Sequence, residues 1–404
     1  MRALSPWFRA VVVGAIAFGI VLRFANLDKK VFWLDEVSTA WAVSGYTQAE
    51  VEQHTVNGKV LHAADILRYQ RTDRDRSTLD TIRALASGDS AHPPAYYIIL
   101  HVWRDWLGSS VVATRMVSAL ISLAIFPCAY FLCVELFGST LVGWIAVALI
   151  ALSPFCLYYA QEAREYGMWG ALTLLSSLAL VRARRFDTFP AWLLYTVTVT
   201  TGLYTSLLFA GVVSAHIAYM VLTGSGSGRV LSRFTFSLVP ALIAFAPWLW
   251  VLARHLHEVS VGLAWTTTPV TALSYWGQVL PGLGGLFVWS TWPLHRLVFL
   301  DIAVTVLIVY SFWFVARHES RNVWLFVALL ALVPTLPFAM SDLALGGHRM
   351  LISRYLEPSY LSVGNERGVS LCASSGPLCR GSWTSEIMAD RFRSAFASER
   401  SLMH

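Results

Sequence analysis

Apolar residues come in long blocks along this chain, divided by short polar stretches. Nine blocks, at about 10–27, 112–133, 140–156, 166–181, 189–203, 206–222, 234–252, 297–316 and 322–340, read as membrane-spanning helices. Two further apolar stretches read differently. Residues 95–107 carry Arg104 and Asp105 and are too short to cross roughly 30 Å of hydrocarbon. They are expected to lie along the interface, with Tyr96, Tyr97, Trp103 and Trp106 at headgroup level. Residues 273–289, broken by Pro281 and several glycines, read as re-entrant or interfacial. The expected fold is therefore all-α: a polytopic membrane helix bundle with interfacial helices in its first outer loop.

The polar segments are as informative as the apolar ones. Residues 28–89 hold ten of the 24 acidic residues and form the one large water-facing segment. Within it Leu34, Val37 and Trp41 recur at helical spacing, predicting a short amphipathic helix that begins near Asp35. Residues 1–361 read as one transmembrane domain, with 28–94 as its extracytoplasmic loop. From 362 to 404 the periodicity gives way to Ser, Arg and Gly. That tail reads either as a natural disordered extension or as the product of a truncated or shifted reading frame. Cys372 and Cys379 lie in it and permit a disulfide only outside the cytoplasm.

Composition agrees with the pattern. The chain of 404 residues is 56% hydrophobic and only 13% charged, well below the quarter typical of soluble domains. The net charge of +6 would suggest nucleic acid in a soluble protein; here arginine placement accounts for it and excludes that partner. If 95–107 does not span, then 28–111, 157–165, 253–296 and 341–362 share one side. The other side receives Arg2, Arg9, Arg182, Arg184, Arg185, Arg229, Arg233, Arg317 and Arg321, which marks it as cytoplasmic. Arg2 and Arg9 precede an apolar stretch that could be a signal peptide but, with no small-x-small cleavage site before Arg23, reads as an uncleaved signal-anchor.

Candidate chemistry lies on the opposite, extracytoplasmic side. Asp35-Glu36 reads either as a helix N-cap with a dipole-stabilising neighbour or as a general base with its companion. His92-Pro93-Pro94 reads as a helix start, or as a start whose His92 faces the same pocket and contacts a phosphate or metal. The richest stretch runs from Ser153 to Gly167 and includes Tyr159, Gln161, Glu162, Arg164, Glu165 and Tyr166. Arg164 reads as a surface ion-pair partner of Glu162 or Glu165, or as a phosphate ligand of fixed charge and fork geometry. His255-Leu256-His257-Glu258 and His348-Arg349 to Arg354-Tyr355 are basic where positive charge is disfavoured, which anion binding or headgroup contact would explain. The His255/His257 pair has no evident third metal ligand.

The order of these motifs carries a resemblance. An acidic pair, His92-Pro93-Pro94, Arg115 with Ser118-Ala119-Leu120, Leu136-Phe137-Gly138, the Ser153–Tyr166 motif and Ser353-Arg354-Tyr355-Leu356 before Pro358 together resemble the GT-C glycosyltransferases. The likeness is to bacterial relatives of protein O-mannosyltransferase and of the lipid A aminoarabinose transferase, over about residues 1–361. It implies a polyprenyl-phosphate-linked sugar donor and a glycan, lipid or protein acceptor hydroxyl outside the cytoplasm. Catalytic Asp35 and Glu36 are then expected, with Arg164, Arg354 and His92 on the donor phosphate and Glu162, Gln161, Tyr159 and Tyr355 lining the pocket. A divalent metal ion is left open. Ser206 follows Tyr204-Thr205 where many relatives carry a His. The rival readings are a lipid or sugar transporter, which would want paired repeats and broken helices at mid-membrane, and a non-catalytic truncated relative.

Overall fold

The computed structural model describes residues 5–56, 58, 60–224, 228–271, 274, 275, 278 and 298–362. Most of the expected re-entrant stretch 273–289, and the tail beyond 362, lie outside these residues. The described residues are helical and contain no strand. Each of the nine expected blocks coincides with a helix or a bent helix pair. Among the described residues four helices are long and apolar enough to cross a membrane, or six if each bent pair is one span.

Helix α1 (Pro6–Phe24) opens with Pro6 in its first turn and Ser5 capping the Phe8 N–H at 3.2 Å. Only Val12, Gly19 and Arg23 are buried on it, so one narrow stripe faces protein. That stripe meets α9 (Thr140–Leu152). Gly19 is required there, because a Cβ would lie 2.3 Å from the Ala151 carbonyl oxygen. Helices α7 (Val111–Ser122) and α8 (Ile125–Phe137) form a near-continuous rod that ends at Gly138, whose φ of 62° closes the last turn.

The chain then turns sharply. Between α9 and α10 (Pro154–Ala160) it bends by 62°, because Pro154 lacks an N–H and Ser153 caps the new helix through Cys156 N at 3.4 Å. Arg23 secures the corner. Its buried guanidinium donates to Gly19 O, Ala151 O and Ile150 O at 2.8, 2.9 and 3.3 Å and lies over the Phe126 ring.

Helix α11 (Tyr166–Phe186) is the axle of the bundle, packed against α7 and α8 on one side and α12 (Phe189–Thr205) on another. Inside the bundle, His216 of α13 (Phe209–Leu222) bonds Ser177 Oγ at 3.2 Å and Tyr195 Oη at 3.3 Å. It stacks on Phe326 of a later helix, which glues four helices around one imidazole. The bundle is completed by α14 (Gly228–Arg254), α16 (Val298–His318), α17 (Arg321–Leu332) and α18 (Leu336–Leu345), the last two bent by 43°. Helix α15 (Leu256–Gly262) follows α14.

The polar insertion between α1 and α7 folds into five helices: α2 (Leu34–Val43), α3 (Gln48–Thr55), α4 (Ala63–Leu67), α5 (Thr78–Gly88) and α6 (Ala95–Leu107). One expectation is corrected here. Tyr96 and Tyr97 do not sit at headgroup level; they are 0% and 1% exposed, packed in the main core. Helix α6 is amphipathic in an unexpected sense: Tyr96, Tyr97, Leu100, His101 and Arg104 face inward, while Trp106 is exposed. The 13 residues that cannot span instead seat the insertion on the bundle, where Tyr96 Oη meets Ser118 Oγ of α7 at 2.6 Å.

The close approach at Gly19 gives a test. Gly19→Ala should destabilise the α1–α9 contact by about 1–3 kcal/mol, the usual cost of overpacking. The check is the melting midpoint of the purified protein in detergent. Gly14→Ala, where nothing lies within 4 Å of the added Cβ, is the control and should melt like the wild type.

Candidate active site

At one end of the bundle the insertion, the α10–α11 loop, the α12–α13 turn, α15 and the segment after α18 enclose a cavity of about 1000 Å³. Its walls carry Asp35, His92, Arg164, Arg354 and Tyr355 from the sequence expectations, joined by Asp89, Glu165 and Trp265. All the segments that contribute alternate correctly to share an end. The opposite end gathers the arginines expected there, with Arg185 on Glu135 at 2.8 Å and Arg233 on Asp187 at 3.0 Å.

Asp35 is the second residue of α2, and the helix is capped by Trp33 without a side-chain bond, so the N-cap reading of Asp35 is set aside. Its carboxylate is instead a quarter exposed in the cavity, 3.6 Å from Arg354 Nη1. Glu36, the next residue, points the other way, as successive helix residues must. It is 0% exposed and takes Arg115 Nε and Nη2 at 2.8 and 2.6 Å and the Ala163 N–H at 2.9 Å. Arg115 also donates to Leu27 O, Lys30 O and Val31 O at 2.7–2.9 Å. The two neighbours have divided roles: Asp35 faces the cavity, and Glu36 ties the insertion, α7 and the 161–165 loop together. Glu36 is not among the cavity-lining residues.

The 161–165 loop likewise splits. Gln161 donates to Leu22 O and Ala25 O at 2.7 and 2.9 Å, capping the end of α1 rather than lining the cavity. Glu162 pairs with Lys30 at 2.6 Å, not with Arg164, and Lys30 lies 3.2 Å from the Tyr158 ring centroid. Burial raises the Glu162 carboxyl above its usual range and lowers the Lys30 ammonium, each opposed by attraction to the other. Tyr159 sits edge-to-face between Phe155 and Tyr166, behind the cavity wall. These three, expected to line a pocket, build its support instead.

Arg164 is 3% exposed and reaches the cavity wall. Its Nη1 donates to Thr39 Oγ1 at 3.2 Å and Asp35 O at 3.4 Å; its Nη2 meets His92 Nε2 at 2.5 Å. Its Nε lies 3.4 Å from Glu165 Oε2. His92 Nδ1 in turn lies 2.6 Å from Asp89 Oδ1. Partial burial opposes ionisation of Asp89, but His92 and Arg164 more than offset it and hold its carboxyl below the usual range. Arg354 is held by rings: its guanidinium carbon is 5.5 Å from the Trp33 centroid, 5.7 Å from Trp265 and 5.8 Å from Tyr355. Tyr355 stacks on Phe338 at 5.2 Å. Ser206 ends α12 and lines the cavity.

Arg164 and Arg354 therefore converge with the Asp35 carboxylate on one cavity, which Asp89, Glu165 and Arg349 also line. Its far wall holds His255, His257 and Glu258 of α15 with Gln48 and Glu52 of α3. His255 bonds Glu258 at 2.5 Å. Among the described residues no three His, Cys, Asp or Glu side chains come together to hold a metal ion.

The overall fold is similar to that of solved proteins. The structure of ArnT from Cupriavidus metallidurans bound to undecaprenyl phosphate superposes with a TM-score of 0.58 at 15% identity, over 90% of this chain and 60% of that one. The chain has the GT-C fold. The GT-C structure of the archaeal oligosaccharyltransferase AglB from Archaeoglobus fulgidus, in complex with an inhibitory peptide and a dolichol-phosphate, gives a TM-score of 0.50 at 14% identity, covering 98% of this chain and 55% of that one. This chain thus spans little more than half the length of these GT-C proteins. Residues 91–251 match the family described as dolichyl-phosphate-mannose-protein mannosyltransferase. No curated protein sequence matches the chain significantly. The GT-C resemblance read from the order of motifs is upheld at the level of fold.

Two functional neighbours, Lys30 and Asp89, were not picked out from the sequence. For Asp89 a signal existed: an acid three residues before a histidine can meet it across one turn. Arg115 was visible as a motif residue with no role. The division between Asp35 and Glu36 predicts different failures. Arg115→Ala leaves Glu36 buried without its counter-charge and should cost about 3–5 kcal/mol, seen as loss of monodisperse protein or a much lower melting midpoint. Asp35→Asn should melt like the wild type; an Arg115→Ala midpoint equal to the wild type would contradict the division.

Proposed function

We propose that this chain is a glycosyltransferase that moves a sugar from a polyprenyl-phosphate donor to an acceptor hydroxyl outside the cytoplasm. The observation that carries this reading is the convergence of the Asp35 carboxylate with Arg164 and Arg354 on one cavity at the end of an apolar bundle. The fold shared with proteins solved with undecaprenyl phosphate and dolichol-phosphate supports it. A lipid-borne donor explains the setting, since its tail can lie among the apolar helices while its phosphate reaches the cavity.

The chemistry follows from the charges. The acceptor hydroxyl oxygen attacks the anomeric carbon, and the new carbon–oxygen bond forms as the bond to the phosphate oxygen breaks. Polyprenyl phosphate leaves with that electron pair, and the acceptor proton passes to Asp35. A single displacement inverts the anomeric centre. The leaving phosphate gains negative charge where water is scarce, and Arg164 and Arg354 supply the fixed positive charge that stabilises it. Arg354 approaches Asp35 only to 3.6 Å, so its donors are not consumed by a close ion pair. The nine arginines expected on the opposite side support an extracytoplasmic cavity, with a component of the cell envelope as acceptor: a glycan, a lipid or a protein.

The test is release of undecaprenyl phosphate from a panel of undecaprenyl-phosphate sugars by the full chain in proteoliposomes. Asp35→Asn should lower turnover by about 10²–10⁴-fold, the usual worth of a general base, while the protein stays folded. Arg164→Ala and Arg354→Ala should mainly weaken donor use. Turnover unchanged in Asp35→Asn would remove it from the reaction.

A further inference from the structure

We propose that Asp89 is a positioning residue: acting through His92, it fixes the direction in which Arg164 meets a phosphate. The proposal rests on reading the cavity as a polyprenyl-phosphate site and deepens it. A guanidinium has only N–H donors. The 2.5 Å contact of Arg164 Nη2 with His92 Nε2 therefore requires a lone pair on Nε2. The proton of the neutral imidazole must then sit on Nδ1, and there Asp89 Oδ1 accepts it at 2.6 Å. One tautomer alone satisfies both ends. Without a committed acceptor at Nδ1 the ring can carry its proton on Nε2, where it would oppose the guanidinium N–H.

Local backbone makes the relay possible. Asp89 ends α5 through its N–H to Leu85 O at 2.9 Å, and His92 N bonds back to Asp89 O at 3.0 Å, placing both side chains on one turn. Pro93 and Pro94 then stiffen the exit into α6. The other groups facing His92 are Glu165, with Oε1 at 3.8 Å from Nε2, and the edge of the Tyr97 ring with centroids 6.4 Å apart. Glu165 lies beside the Arg164 Nε and cannot reach Nδ1 in Asp89's place.

The arrangement solves a problem of competition. A carboxylate bonded directly to Arg164 Nη2 would hold the fork well but would contest it with any incoming phosphate. A neutral imidazole placed between Asp89 and Arg164 holds the Nη2 arm with no carboxylate bonded to it, while Glu165 stands 3.4 Å from the Nε side.

The test uses undecaprenyl phosphate itself, titrated into the purified full chain in nanodiscs and followed by tryptophan fluorescence, with Trp33 and Trp265 beside Arg354 as reporters. Asp89→Asn, whose amide accepts or donates and so dictates no tautomer, should weaken binding about tenfold with an unchanged melting midpoint. Asp89→Glu should recover most of the loss. His92→Gln can offer its amide oxygen to Arg164 without instruction from Asp89, so in that background Asp89→Asn should have little further effect. Three results would overturn the role: wild-type affinity in Asp89→Asn, a lost affinity that tracks a lowered midpoint, or losses that simply add with His92→Gln. No binding by the wild type would instead overturn the reading of the cavity, and the role of Asp89 with it.

Discussion

The buried bond between Glu36 and Arg115 governs everything built around it. A carboxylate and a guanidinium, both 0% exposed, would each be strongly unfavourable alone in this setting. Together they use their remaining valences on backbone: Leu27, Lys30 and Val31 carbonyls on the arginine, the Ala163 N–H on the glutamate. Three segments distant in sequence, around residues 27–36, 115 and 163, are thus fixed to one another at a single point. The polar insertion has few other anchors to the bundle of comparable strength. With Glu36 pinned, the adjacent Asp35 has one direction left, into the cavity.

Around that pin the site separates charge by different means. Glu162 and Lys30 neutralise each other behind the wall. Arg164 is held by the His92 imidazole, a hydroxyl and a carbonyl, with Glu165 beside its Nε. Arg354 is held by aromatic rings. Arg164 and Arg354 thus meet carboxylates only at 3.4 and 3.6 Å, while the close ion pairs Glu36–Arg115 and Glu162–Lys30, both at 2.6 Å, belong to the scaffold. An anion arriving in the cavity meets guanidinium groups already aimed and still underused.

Much of the bundle was legible because span-length apolar blocks have one physical outcome in a membrane, and Pro154 and Gly138 mark real breaks. Which side chains approach the cavity was legible only in part. Asp35, Arg164, Arg354 and His92 could be picked out because charge on that side needs a reason. Gln161, Glu162 and Tyr159 belong to the same motif, yet turn to the scaffold, and spacing within a loop does not tell which way each residue faces. Tyr96 and Tyr97 were misjudged for a related reason. A 13-residue amphipathic helix looks the same in sequence whether its inner face meets lipid headgroups or a neighbouring helix, and only the partner, here α7, decides.

The approach of Arg354 to Asp35 joins the two extremes of the described chain. During synthesis the insertion emerges behind the first helix, and Arg115 follows soon enough for the Glu36 bond to fold it early. Arg354 arrives only after the last bent helix pair has been made. The cavity therefore stays an open cleft until residue 354 has been made, its carboxylate already set on an anchored platform. A chain halted before residue 354 would hold a folded insertion and no enclosed site.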